Sequence, residues 1–180
     1  MKNAIDSIKP FNKDKSCWNV IIETPKGSNL KYALDETTGL LTVKKALPEG
    51  MVFPFNFGMI PGTVADDGDP IDVLVFNEEQ LVAGCLLHVK PIGVIKAEQS
   101  DGKKMVRNDR IIGQAIPKEA PTELEEIKLT DKVISQIEFF FKAYNEAYGE
   151  KFVVLGTGNA KKAIELVKVA AKAARKKRKH

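Results

Sequence analysis

Four carboxylates crowd into seven residues at Asp66, Asp67, Asp69 and Asp72. Acids this close repel one another unless a cation neutralises them. Gly68 and Pro70 lie among them and favour a tight bend, Gly by tolerating unusual dihedrals and Pro by fixing its own. Hard divalent ions such as Mg²⁺ prefer oxygen ligands of this kind and keep several waters. The segment reads as a metal site at the mouth of a strand, where phosphate chemistry is a natural use. An ordinary acidic turn is the competing reading, since Asp and Gly favour turns. Asp72 weighs against it, because a carboxylate at the start of an apolar strand is costly unless solvated, paired or metal-bound. A calcium loop does not fit, as the later oxygen, Gly and Glu positions fail to match. A sugar-nucleotide transferase could also use Asp-Gly-Asp, but no doubly wound nucleotide domain is visible here.

Short strands must position this turn. Segments 17–24, 30–34, 40–43, 71–76 and 85–96 are β-rich, and Pro91 and Gly93 mark a bend or bulge in the last of these. Segment 51–60 is aromatic and broken by Pro54 and Gly58, which predicts an irregular strand. Short strands are also expected at 105–106, 111–116 and 152–155. Thr130 or Asp131 can cap a helix running to about Tyr148, with Gly149 stopping it and Ile137, Phe140, Phe141 and Tyr144 on one face. Asn159 can cap a final Ala/Lys-rich helix. The pattern predicts an α+β, mainly β chain: a small OB-like closed β-barrel with two C-terminal α-helices packed outside.

Composition bounds the rest. A length of 180 residues with 43% hydrophobic content suits one globular domain over 1–180, ending in a basic tail at 171–180. The net charge of +4 misleads: the last ten residues carry six cations and no acid, so removing them leaves residues 1–170 at −2. The tail reads as a solvated helix end, because no aromatic residues interleave its cations as a nucleic-acid surface would require. No apolar run is long enough to cross a membrane, and segment 1–16 lacks a signal-peptide core. Only Cys17 and Cys85 are present, too few for a disulfide framework, so a cytoplasmic location is expected.

The run Asp67-Gly68-Asp69-Pro70-Ile71-Asp72-Val73 resembles the signature of soluble, Mg²⁺-dependent inorganic pyrophosphatases of the small β-barrel family. Segments 20–25, 30–32, 53–60 and 90–94, and the helix carrying Phe140, Phe141 and Tyr144, resemble the same family, so the similarity covers most of the chain. The resemblance implies hydrolysis of pyrophosphate to two phosphates by water activated among three or four Mg²⁺ ions. It implies Asp69 as general base, with Asp67 and Tyr144 also in the catalytic set. Asp67, Asp72 and Glu23 would hold metal, and Lys31, Lys45, Lys104 and Tyr144 would bind phosphate. A homo-oligomer, a hexamer by resemblance, is implied as well.

Departures from the family's pattern are numerous. Ala33 stands where a second early carboxylate is expected, and Lys45 where an arginine is expected. Phe53 and Phe57 replace two tyrosines, and Asn145 replaces a lysine. The second acidic loop, at 95–105, offers Glu98 and Asp101 in poor alignment, with Lys103 in place of an acid. Each lost donor in such a site costs roughly two to three powers of ten in rate, though not additively. Weakened or altered pyrophosphatase activity is therefore expected. The alternatives are a phosphohydrolase acting on an organic diphosphate, and a non-catalytic paralogue binding phosphate ligands or an active subunit. Trp18 and Phe139 to Phe141 read as core or subunit interface. His88 and His180 have no partner pattern. Gly156-Thr157-Gly158 reads as a strand-to-helix turn as readily as a phosphate loop.

Overall fold

The structure, a computed structural model, describes residues 4–13, 15–35, 37–77, 79–100, 102–117, 119 and 125–177. Asp101, His180 and the last two cations of the basic tail lie outside these. Among the described residues, a short 3₁₀ turn at Ala4–Ser7 is followed by nine strands and two helices. The strands are β1 (Trp18–Thr24), β2 (Leu30–Leu34), β3 (Leu41–Ala46), β4 (Asn56–Ile60), β5 (Ile71–Phe76), β6 (Leu86–Ser100), β7 (Met105–Arg107), β8 (Arg110–Ile116) and β9 (Phe152–Asn159). Helix α1 (Asp131–Glu146) lies between β8 and β9, and α2 (Ala160–Lys177) follows β9.

Five strands close a ring in the order β1-β4-β5-β8-β6, with β6 pairing back onto β1. This is the expected barrel. The 15-residue β6 makes closure possible: its first residues pair with β1, and its far half carries β7 and β9. Its register slips between Pro91 and Gly93, the bend the sequence predicts. Strand β9 runs four residues further than expected, through Gly156 and Gly158. Both helix caps form as predicted: the Thr130 hydroxyl accepts from the Val133 amide at 3.4 Å, and Asn159 Oδ1 accepts from the Lys162 amide at 3.1 Å. Gly149, at φ 69°, ends the turn after α1.

Side chains alternate across the barrel wall. Val20, Ile22, Val73, Val75, Val94 and Ile111 share one cluster with Ala163, Val167 and Ala170 of α2. Phe57, Leu74, Ile95, Ala97 and Ile112 share the other with Ile137, Phe140, Phe141 and Tyr144 of α1. The parity of each strand decides which residues look toward α1. Asp72 precedes Leu74, Gln99 follows Ala97, and Arg110 precedes Ile112, each two positions away, while Glu23 is the extra residue where β1 slips register against β4.

Hairpin β2–β3 forms its own two-stranded sheet. It meets β1 through side chains. The Thr24 hydroxyl donates to the Tyr32 carbonyl at 3.1 Å and accepts from the Tyr32 amide at 2.9 Å, while Glu23 Oε1 accepts from the Leu34 amide at 2.7 Å.

Candidate active site

The acidic turn is held from beneath. Thr63 is buried; its hydroxyl donates to the Ile60 carbonyl at the end of β4 (2.6 Å) and accepts from the Ile71 amide at the start of β5 (3.0 Å). Both ends of the loop are thereby fixed. Within it, the Ala65 amide donates to the Asp69 carbonyl at 2.8 Å and the Asp69 amide donates to Asp67 Oδ1 at 3.2 Å. Gly68 takes φ 95°, a left-handed conformation that side chains resist.

Asp67, Asp69 and Asp72 open onto one cleft of about 480 Å³, together with Glu23, Lys31 and Arg110. Lys44, Phe57, Met59, Gln99 and Asn108 complete much of its lining, and Ala33 adds an apolar patch where the sequence lacks a carboxylate. The barrel supplies the floor, and the β2–β3 hairpin supplies one wall.

Burial controls the electrostatics. The Glu23 carboxyl is pushed up to about 7, chiefly by burial, with Asp72 and Asp69 adding to the rise and the Leu34 amide and Lys31 opposing it. Burial also raises Asp67, again with Asp72 and Asp69 adding. Burial lowers Lys31, whose ammonium lies 5.4 Å above the Phe57 ring. Such mutual repulsion among carboxylates is what a bound cation relieves.

Asp72 is paired. Its Oδ2 accepts from Arg110 Nη1, which also donates to Asn108 Oδ1, while Arg110 Nη2 donates to Gln99 Oε1 at 3.0 Å. Parallel pairing of β5 with β8, Val73 against Ile111, brings Asp72 and Arg110 side by side. From Gln99 the network continues: Gln99 Nε2 donates to Glu150 Oε2 at 3.2 Å, and Glu150 Oε1 pairs with Lys45 at 2.9 Å.

Several expected residues therefore sit elsewhere. Lys45 is drawn to Glu150 and lies over the Tyr148 ring at 4.3 Å, outside the cleft lining. Lys44 lines the cleft in its place, because the register slips between Lys31↔Lys45 and Tyr32↔Val43 and leaves Lys44 as the bulged residue. Lys104 is exposed and outside the lining, as is Lys103. Glu98 has the wrong parity on β6, and neutral Gln99 faces the cleft instead. Phe53 is core, packed on Phe140 and Tyr144 with ring centroids 5.2 and 5.9 Å away. Tyr144 is buried behind the lining with a hydroxyl that lacks a hydrogen-bond partner among the described residues, and burial raises its pKa. Asn145 is fully buried and donates to the Phe141 carbonyl at 2.7 Å. Arg110 and Asn108 escaped the sequence reading, which started β8 at residue 111. The alternation of Ile112 and Arg110 is the signal that could have found the arginine.

Residues 20–175 match the family described as inorganic pyrophosphatase. The chain belongs to the inorganic pyrophosphatase family. An inorganic pyrophosphatase of Sulfolobus acidocaldarius is 36% identical over 92% of this chain and 95% of its own length. One of Nanoarchaeum equitans is 41% identical, covering 80% of this chain and 91% of the relative. Among solved structures, the inorganic pyrophosphatase of Thermus thermophilus superposes with a TM-score of 0.82 at 26% identity, covering 96% of this chain and 99% of that one. That of Helicobacter pylori gives 0.81 at 30% identity, covering 94% and 99%. A family of metal-dependent pyrophosphatases calls for a divalent cation, and the donor set fits one in part. Among the described residues no group of three or more His, Cys, Asp or Glu is gathered so as to hold a metal ion by itself. Scattered carboxylates around an open cleft suit a hard ion that is also held by waters and substrate phosphates.

Proposed function

We propose that this chain hydrolyses pyrophosphate to two phosphates in the cleft fronted by Asp67, Asp69 and Asp72. The observation that carries the reading is the convergence of these three acids and Glu23 with the cations Lys31, Lys44 and Arg110 in one cleft of a chain of this family. The transition state spreads negative charge over phosphoryl oxygens, so catalysis rests on positioning and charge neutralisation.

Asp67, Glu23 and the cleft-facing oxygen of Asp72 would hold Mg²⁺, an ion that suits oxygen ligands which leave room for water and phosphate. Bound there, the metal supplies charge neutralisation and a more acidic water. Asp69, exposed at the tip of the turn, would take the proton of the attacking water. Lys31 and Lys44 reach in from the hairpin to bind phosphate oxygens. Tyr144 lies behind the lining with a buried hydroxyl that has no hydrogen-bond partner among the described residues, and it would donate to phosphate where substrate reaches past that lining. A homo-oligomer accompanies this reading, since Phe139 is 77% exposed on α1. So does a cytoplasmic location: Cys17 and Cys85 are free, and no helix among the described residues is long and apolar enough to cross a membrane.

Phosphate release from pyrophosphate, measured with Mg²⁺ and with chelator, tests the proposal beside an Asp72→Asn variant and a panel of organic diphosphates. Mg²⁺-dependent release that Asp72→Asn abolishes is the expected result. No release at high Mg²⁺ and high enzyme would sink it.

A further inference from the structure

The floor of the cleft already contains a cation. Arg110 is 2% exposed, and its guanidinium donates to oxygens from three elements: Asp72 on β5, Gln99 on β6, and Asn108 in the link between β7 and β8. The rings of Phe141 and Phe57 flank it at 5.0 and 5.8 Å. Three oxygen donors from separate elements converging on one positive centre form the kind of shell that a hard divalent ion takes. Here the centre is a planar group that keeps its charge at any working pH.

The charge balance of this wall fits a monocation. Of the three oxygen donors only Asp72 is charged, while Gln99 and Asn108 are neutral amides. One carboxylate balances one guanidinium, whereas a divalent ion forced into the same shell would meet Arg110 at close range. The side chains adjust to this arrangement through the backbone: the Asn108 amide donates to the Ala97 carbonyl at 2.9 Å, and Asp109 Oδ1 accepts from the Ala97 amide at 3.1 Å, so the link that presents Asn108 and Arg110 is pinned to β6.

We propose that Arg110 stands in for one divalent ion on the Oδ2 side of Asp72. Asp72 then offers only its other oxygen to a metal, and the chain loads fewer metal ions than its cleft acids would otherwise take. Arg110 is in this sense a positioning residue, since it acts on substrate through Asp72 and the net charge of the cleft. The inference rests on the metal-dependent reading of the cleft given above.

Mn²⁺ binding to the full chain, counted by electron paramagnetic resonance without substrate, separates the two. Arg110→Gln removes the charge and frees Oδ2, so it should bind one Mn²⁺ per chain more than the parent protein. Arg110→Lys retains a charge and should show no gain. An unchanged count in folded Arg110→Gln, or a gain in Arg110→Lys, would overturn the inference and leave the pyrophosphatase reading intact. No Mn²⁺ bound by any of the three proteins would overturn both. Removing one partner of a buried pair can unfold a chain. If Arg110→Gln is unfolded in chelator, circular dichroism reads the same site: refolding on addition of Mn²⁺ supports the inference, and a chain that stays unfolded at millimolar Mn²⁺ refutes it.

Discussion

Glu23 offers the sharpest quantitative test, in protein stripped of divalent ions. Its carboxyl is pushed from 4.5 to about 7, mainly by burial and then by its acidic neighbours Asp72 and Asp69, against the opposing Leu34 amide and Lys31. Between those two pH values the folded protein keeps a proton that the unfolded chain has released. Stability therefore falls as pH rises through the window, and the full penalty applies above pH 7. A rise from 4.5 to about 7 corresponds to about 3 kcal/mol. Glu23→Gln cannot ionise and keeps an oxygen for the Leu34 amide. At pH 8 in chelator it should melt roughly 6–12 °C above the parent, while at pH 4 the two curves should nearly coincide. Saturating metal should shrink the gap at pH 8, because a cation stabilises the ionised carboxylate. Thermal melts at both pH values check this. Equal melting temperatures at pH 8 in chelator would refute the claim that burial dominates this site.

Other outcomes follow from the same geometry. Asp69→Asn should cut pyrophosphate hydrolysis by roughly two to four powers of ten while leaving the melting temperature unchanged, since Asp69 is exposed; steady-state assays and melts together check this. Tyr144→Phe removes a hydroxyl with no partner among the described residues, so stability should hold while KM for pyrophosphate rises. Thr63→Ala strips the support from both ends of the acidic turn and leaves the Ile71 amide unpaired; it should cost about 1–3 kcal/mol in denaturant titration and lower activity as well. Chelation should abolish phosphate release, and added Mg²⁺ should restore it.

The barrel and the acidic turn were legible in the sequence because both are local signals. Asp67, Asp69 and Asp72 declare themselves by spacing alone, and the bend at Pro91 and Gly93 follows from backbone chemistry. The cations were less legible. Choosing Lys45 over Lys44 depends on a bulge in β3, which reverses which lysine faces the cleft and which no composition rule predicts. Choosing Glu98 over Gln99 depends on strand parity, which was readable only after Ile95 and Ala97 had been assigned to the α1 side. Arg110 opens β8 one residue before the apolar run that marks the strand in the sequence. Its role arises from a parallel pairing with β5, a contact between segments 38 positions apart.

The seam between β1 and the hairpin has a further consequence. Among the described residues it comprises the two Thr24–Tyr32 bonds and the Glu23–Leu34 bond, with no backbone ladder. At about 1 kcal/mol net for each hydrogen bond, parting it costs about 3 kcal/mol, less than the roughly 5–15 kcal/mol that holds a typical domain folded. The hairpin is held separately along β3, where Lys45 pairs with Glu150 and the Tyr148 hydroxyl donates to the Ala46 carbonyl, so the seam is its weaker side and the amides of Tyr32 and Leu34 should exchange with solvent before those of the barrel. Glu23 belongs to both the seam and the cleft. Metal held by Glu23 would compete with the Leu34 amide for its carboxylate, so loading of the cleft and exchange at Leu34 would be thermodynamically linked.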